Sequence, residues 1–223
     1  MKYISKANGY IAVSDVLKGM LAQKPCVVLY GSYNVIDKPA KKKTSDEVKV
    51  VYAGSVDALK GGALNAVISA EYLPDNFFVH ILGFGSTQAI EKLEQQIKSV
   101  NEKRKKTCCQ YHGVLTGNAL RDFLHSCDIG VNPQYEGEYM NTAFPSKILS
   151  YLTHSLKVVS TEIKSVKLSK VSPFITFAVS DGPKDIAQAI IKAASGDAAD
   201  CENAVKELDA DFVKDIKLLI EDL

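Results

Sequence analysis

Apolar and polar positions follow two rhythms along most of this chain. From Glu47 onward, short β-branched or aromatic runs are each followed by a longer stretch with apolar residues every three or four positions. Val48–Ala53, Phe77–Leu82, Cys108–His112, Ile129–Asn132, Lys157–Ser160 and Phe174–Val179 read as strands. Asp57–Leu73, Thr87–Lys105, Gly117–Ser126, a segment starting near Pro145 and a short stretch after Lys157–Ser160 read as helices, with Lys184–Ala194 and Ala204–Leu219 closing the series. Thr116 is the expected hydroxyl N-cap of the third helix, and Pro145 suits a first turn because its φ is already helical. Strands alternating with helices build βαβ units. The expectation is an α/β fold: six strands in a doubly wound, mostly parallel sheet with helices on both faces.

Residues 1–46 do not share this rhythm. Ser14–Leu21 reads as a capped helix and Val27–Tyr30 as a strand, followed by the charged linker Asp37–Asp46. The expected division is therefore 1–46, a preceding segment and linker, and 47–223, the αβ domain with its C-terminal helices.

Composition narrows the function. Lys+Arg 27 against Asp+Glu 26 gives +1, so the basic footprint of a general nucleic-acid binder is missing. The 46% hydrophobic content excludes disorder, and no apolar run is long enough for a transmembrane helix or a signal peptide. Five cysteines without a C-x-x-C indicate neither a disulfide framework nor zinc. The four histidines show no metal-ligand spacing, and Asp209-Ala-Asp211 lies on a polar helix face. These features describe a soluble, reduced, cytoplasmic domain. The basic run Lys98–Lys106 would allow a peripheral membrane contact, although such runs usually face water.

In open α/β sheets, ligands bind outside the carboxyl ends of the strands. One loop there, Gly54-Ser55-Val-Asp-Ala-Leu-Lys60-Gly-Gly62, combines glycines, helix-start amides and a lysine; it suits an anion, or is a plain turn with a surface lysine. It is not a P-loop. Gly83-Phe-Gly85-Ser86 resembles a dinucleotide fingerprint, but Gln88 stands where the third glycine belongs, which argues against NAD. His112 before Gly113-Val114 suits a structural hydrogen bond. The long loop from Asn132 carries Glu136 and Glu138 and ends at Pro145-Ser146-Lys147, where free amides and a lysine make a second anion site.

In this order, the elements resemble the donor-binding half of a GT-B glycosyltransferase, most like family 4 members of polysaccharide biosynthesis. The strings are Val-Val-Tyr-Ala-Gly54 with Lys60-Gly61, Leu-Gly83-Phe-Gly85, Tyr-His-Gly113, Leu124-His-Ser-Cys-Asp128-Ile-Gly-Val-Asn-Pro133, Pro145-Ser-Lys147-Ile-Leu-Ser-Tyr151-Leu and Lys157-Val-Val-Ser160. Gly9–Ser14 is similar to the segment just before that family's interdomain crossover.

The resemblance implies a Rossmann-like half that binds a UDP- or GDP-linked sugar. The sugar would pass to a glycan or lipid-linked acceptor in bacterial surface polysaccharide (capsule) synthesis. It implies Lys60 neutralising the diphosphate, with Gly54 and Ser55 beside it, and Glu136 on the sugar hydroxyls; these two are the candidate catalytic residues. Gly83, Gly85, Ser146 and Lys147 would line the cleft, Gly113 and Val114 would meet the base, and no metal or other cofactor would be required. Two positions depart from the pattern: Ser150 replaces the family's second glutamate, and Ser55 an arginine. An N-terminal acceptor-binding domain would be missing from these 223 residues. A non-catalytic nucleotide-binding or partner-docking domain of the same fold is the alternative.

Overall fold

The computed structural model describes residues 6–21, 23–32, 46–57, 62–135, 137–196 and 201–221. The predicted Asp37–Asp46 linker, Lys60, Glu136 and the start of the Asp57–Leu73 helix lie wholly or partly outside them.

Two short strands, β1 (Tyr10–Ala12) and β2 (Cys26–Val28), pair in parallel around helix α1 (Asp15–Met20). Ser14 caps α1 by accepting from Leu17 N at 3.2 Å, as its sequence suggested. Its hydroxyl also donates to the Thr142 carbonyl at 2.5 Å, and buried Tyr30 stacks against Phe144 at 4.8 Å. The N-terminal segment thus packs on the second half of the αβ domain.

Among the described residues that domain holds six strands, all parallel, in the order β5-β4-β3-β6-β7-β8: β3 Val48–Ala53, β4 Phe77–Leu82, β5 Cys109–Tyr111, β6 Ile129–Asn132, β7 Lys157–Ser160 and β8 Ile175–Phe177. The doubly wound reading holds. Side chains alternate across the sheet. Val50, Tyr52 and Val79 face a core with α2 (Gly62–Ser69), α3 (Thr87–Arg104) and α8 (Pro183–Ser195). Val51, Leu82 and Val158 face a second core with α4 (Gly117–Ser126), α6 (Lys147–Leu152) and α9 (Cys201–Glu221). Two faces buried at once explain the nearly continuous apolar strands.

Several local expectations shift. Thr116 stands at the N-cap position of α4 but makes no capping bond there; Gly117 enters the helix at φ 57, away from the approach a hydroxyl cap needs. The helix expected near Pro145 begins at Lys147 and runs six residues. The preceding loop contains one more helix, α5 (Glu138–Thr142), whereas α7 (Lys164–Lys167) is the short helical stretch expected after the Lys157–Ser160 strand. Lys103, Arg104 and Lys106 of the basic run meet Glu71 and Asp75, and Asp211 meets Lys170 at 2.6 Å, so both charge clusters are engaged within the surface. No helix among the described residues is long and apolar enough to cross a membrane.

The order in which strands are added reverses between β3 and β6, the crevice where such sheets bind ligands. Those two strands pair only through Val50–Ile129 and Val51–Gly130, whereas β3 and β4 stay in register from Val48–Phe77 to Ala53–Leu82. Fully buried Tyr151 of α6 fills the opening. Its hydroxyl accepts from Ala53 N at 2.8 Å and lies 3.4 Å from the Val131 carbonyl. Gly130 makes room for the ring: a Cβ there would lie 2.2 Å from Tyr151 Cγ.

This arrangement predicts that Gly130→Ala destabilises the chain severely, by about 3 kcal/mol or more, because the added methyl meets a ring with nowhere to move. Tyr151→Phe keeps the packing but leaves the Ala53 amide unmet, at a cost of about 1–3 kcal/mol. Urea denaturation of both variants checks the order.

Candidate functional site

The carboxyl ends of β3, β4 and β5 are joined by main-chain bonds beyond the sheet. Gly54 N donates to the Leu82 carbonyl at 3.0 Å, Val56 N to Phe84 at 2.7 Å, and Gly83 N to Gly113 at 2.9 Å. Such proximity requires a residue without Cβ. A Cβ on Gly83 would lie 1.7 Å from the Gly54 carbonyl oxygen, and Gly83 has φ 145. The Gly83-Phe-Gly85 spacing, which resembled a dinucleotide signature, is thus accounted for by loop-to-loop packing.

Above these loops lies a cavity of about 570 Å³. Its floor is Ala53, Gly54 and Ser55 with Leu82 and Gly83. One wall is apolar, from Leu115, Leu120 and Leu124 of α4 and the loop before it. The other comes from the long loop and the start of α6: Gln134, Tyr139, Met140, Phe144, Ser146, Lys147 and Ser150. At the mouth, Phe84, Val114 and Tyr139 are exposed.

Among the described residues, Lys147 is the cation of this lining. It stands one helical turn before Tyr151, on the same face of α6, so the anchored tyrosine also aims the lysine. Its Nζ sits 4.3 Å from the centroid of the Tyr52 ring and next to Gly54. That cation–π contact holds the charge at the strand end. Tyr52 in turn donates from its hydroxyl to the Ser55 carbonyl at 2.8 Å, fixing the turn after β3. Burial raises the Tyr52 hydroxyl's pKa well above its ordinary value, with nearby Asp57 adding to the effect, so it remains a neutral donor. A fixed turn and a held ammonium group suit an anion lying over Gly54.

Of the residues named from sequence, the structure gathers Gly54, Ser55, Gly83, Val114, Ser146, Lys147 and Ser150 around one cavity. Gly85 instead packs against Val56 and borders a neighbouring groove, and Gly113 lies behind Val114 as the acceptor from Gly83. Ser146 is exposed, and its hydroxyl makes no capping bond to α6. Sequence reasoning missed Gln134, Tyr52, Tyr151 and the α4 wall. Gln134 carried a usable signal, since it lies two residues beyond strand β6; the tyrosines resembled ordinary core residues.

The family profile described as glycosyl transferases group 1 matches residues 47–195. No curated protein matches. Among solved structures, a glycosyltransferase from Rickettsia africae ESF-5 has 14% identity and a TM-score of 0.67, over 99% of this chain and 66% of that one. Anabaena Alr3699/HepE in complex with UDP has 15% identity and a TM-score of 0.64, over 96% and 63%. An E. coli trehalose-6-phosphate protein bound with UDP-2-fluoro glucose has 14% identity and a TM-score of 0.59, over 76% and 41%. At such identities the likeness is one of fold. This chain spans less than two-thirds of each of these three proteins.

Behind the α4 wall, His80 Nδ1 and His112 Nε2 lie 2.9 Å apart, with Phe123 of α4 against both rings. Histidine 112 is the structural hydrogen-bonder its position suggested. Burial, then the neighbouring His112 and Lys49, lower the His80 pKa to about 4, and burial also lowers His112. A depressed histidine stabilises the fold fully above its unfolded pKa of about 6.5; that contribution is lost as pH falls towards 4. Acidification from pH 7.5 to 4.5 is expected to remove on the order of 2 kcal/mol through this pair. Melting curves of wild type and His80→Phe check this, the variant losing less.

Proposed function

The chain belongs to the glycosyl transferases group 1 family, and on that premise we propose that its cavity binds a UDP- or GDP-linked sugar with the diphosphate against Lys147. The observation that carries this reading is the placement of that ammonium group: held over Tyr52 beside Gly54, at the sheet's reversal point, in a cavity of nucleotide size. The apolar α4 wall suits a flat base, and Val114 is available beside it. HepE in complex with UDP and the E. coli protein bound with UDP-2-fluoro glucose support a uridine nucleotide.

In this proposal the bond between the sugar's anomeric carbon and the diphosphate breaks, an acceptor hydroxyl takes the sugar, and charge develops on the leaving diphosphate. Lys147 stabilises that charge without a metal, and Lys60 is its proposed second cation. Glu136 is proposed to hold the sugar. The acceptor, a glycan or lipid-linked saccharide of a bacterial surface polysaccharide, would sit on an acceptor-binding part outside these residues. A non-catalytic nucleotide-binding domain is the second reading, favoured by half-buried Ser150 where the family pattern has a glutamate. A hydroxyl forms no charge-assisted bonds to a ribose. Sugar transfer or donor hydrolysis after pairing with an acceptor-binding domain eliminates it.

Calorimetry with UDP, GDP, ADP and the matching nucleosides tests the main reading. UDP or GDP is expected to bind, and Lys147→Ala to weaken the diphosphate by about 10-fold or more while leaving the nucleoside unchanged. No binding by any diphosphate, or binding indifferent to Lys147→Ala, overturns it.

A further inference from the structure

Gln134 stands two residues beyond strand β6 and lines the same cavity as Lys147 and Ser150. Its backbone is fixed on both sides. Its carbonyl accepts from Thr161 Oγ1 at 2.7 Å, and the carbonyl of Pro133 accepts from Asn65 Nδ2 at 3.3 Å. The residue is only 6% exposed, yet its buried amide oxygen meets no donor among the described residues. Polar atoms removed from water are almost always paired, so an unmet acceptor in a cavity lining marks a place for a group that arrives.

Chemistry limits which group that can be. A diphosphate offers acceptors only at neutral pH and cannot serve a carbonyl oxygen. The hexose of a sugar nucleotide is rich in O–H donors, and Gln134 stands two residues before Glu136, the position proposed to hold that sugar. The terminal amide torsion is broad, so the oxygen is free to turn towards an arriving donor. We propose that Gln134 is a specificity residue that accepts a hydrogen bond from a hydroxyl of the donor sugar. This inference rests on the donor-site reading above.

Calorimetry of the full chain with UDP, GDP, UDP-glucose, UDP-galactose, UDP-N-acetylglucosamine and GDP-mannose tests it. Gln134→Met, similar in length but without the acceptor, is expected to weaken the best sugar conjugate roughly three- to tenfold and to leave the free diphosphate within about twofold. Gln134→Glu retains an acceptor and is expected to keep the ratio of conjugate to diphosphate affinity. The Met variant without ligand is expected to melt above wild type, because its buried unmet acceptor is gone. Equal loss for conjugate and diphosphate, no loss for either, a ratio lost in Gln134→Glu, or a lower melting point overturns the assignment. A wild-type chain that binds no diphosphate overturns the donor reading itself and this assignment with it.

Discussion

The rest of the site depends on a tyrosine placed where two strands separate. β3 and β6 diverge after Val51 and Gly130, as a doubly wound sheet must at its reversal point. Separation leaves the Ala53 amide without a ladder partner. Tyr151 supplies one from a neighbouring helix, over a glycine that leaves space for its ring. The crevice is therefore held open by a rigid aromatic strut, and the strut belongs to the helix that carries Lys147.

That coupling helps to hold the cation of Lys147 in place in the cavity lining. Lys147 is restrained from behind by the anchoring of its own helix and from below by the Tyr52 ring. Tyr52 also fixes the turn after β3 through Ser55, and the Gly54, Gly83 and Gly113 loops hold one another by main-chain bonds. A site organised this way loses little freedom when an anion arrives. Its apolar wall from α4 rests on the aromatic and histidine layer of Phe123, His80 and His112.

Much of the fold was legible in the sequence because each strand faces two cores at once, which writes a short continuous apolar run that no surface segment imitates. Val48–Ala53, Phe77–Leu82, Ile129–Asn132 and Lys157–Ser160 coincide with the observed strands. The β1 strand and α5 were not legible: each spans five residues or fewer and is held by packing on neighbours. The capping role of Thr116 looked correct from its letter and failed on the left-handed backbone of Gly117, a conformation that sequence alone does not fix.

The site divides in the same way. Strand-end glycines and the Pro145-Ser146-Lys147 string pointed to an anion at the sheet edge, because local chain geometry places them there whatever surrounds them. The sequence by itself thus determined the doubly wound architecture, the edge that carries the chemistry and the family it resembles. Only the tertiary structure decided that the Gly83 and Gly85 positions serve close loop packing, that Tyr151 holds the crevice, and that Gln134 enters the lining with an unmet acceptor. The physical reason is distance along the chain. Ala53 and Tyr151 are 98 residues apart in sequence, and such contacts leave no periodic trace in either segment.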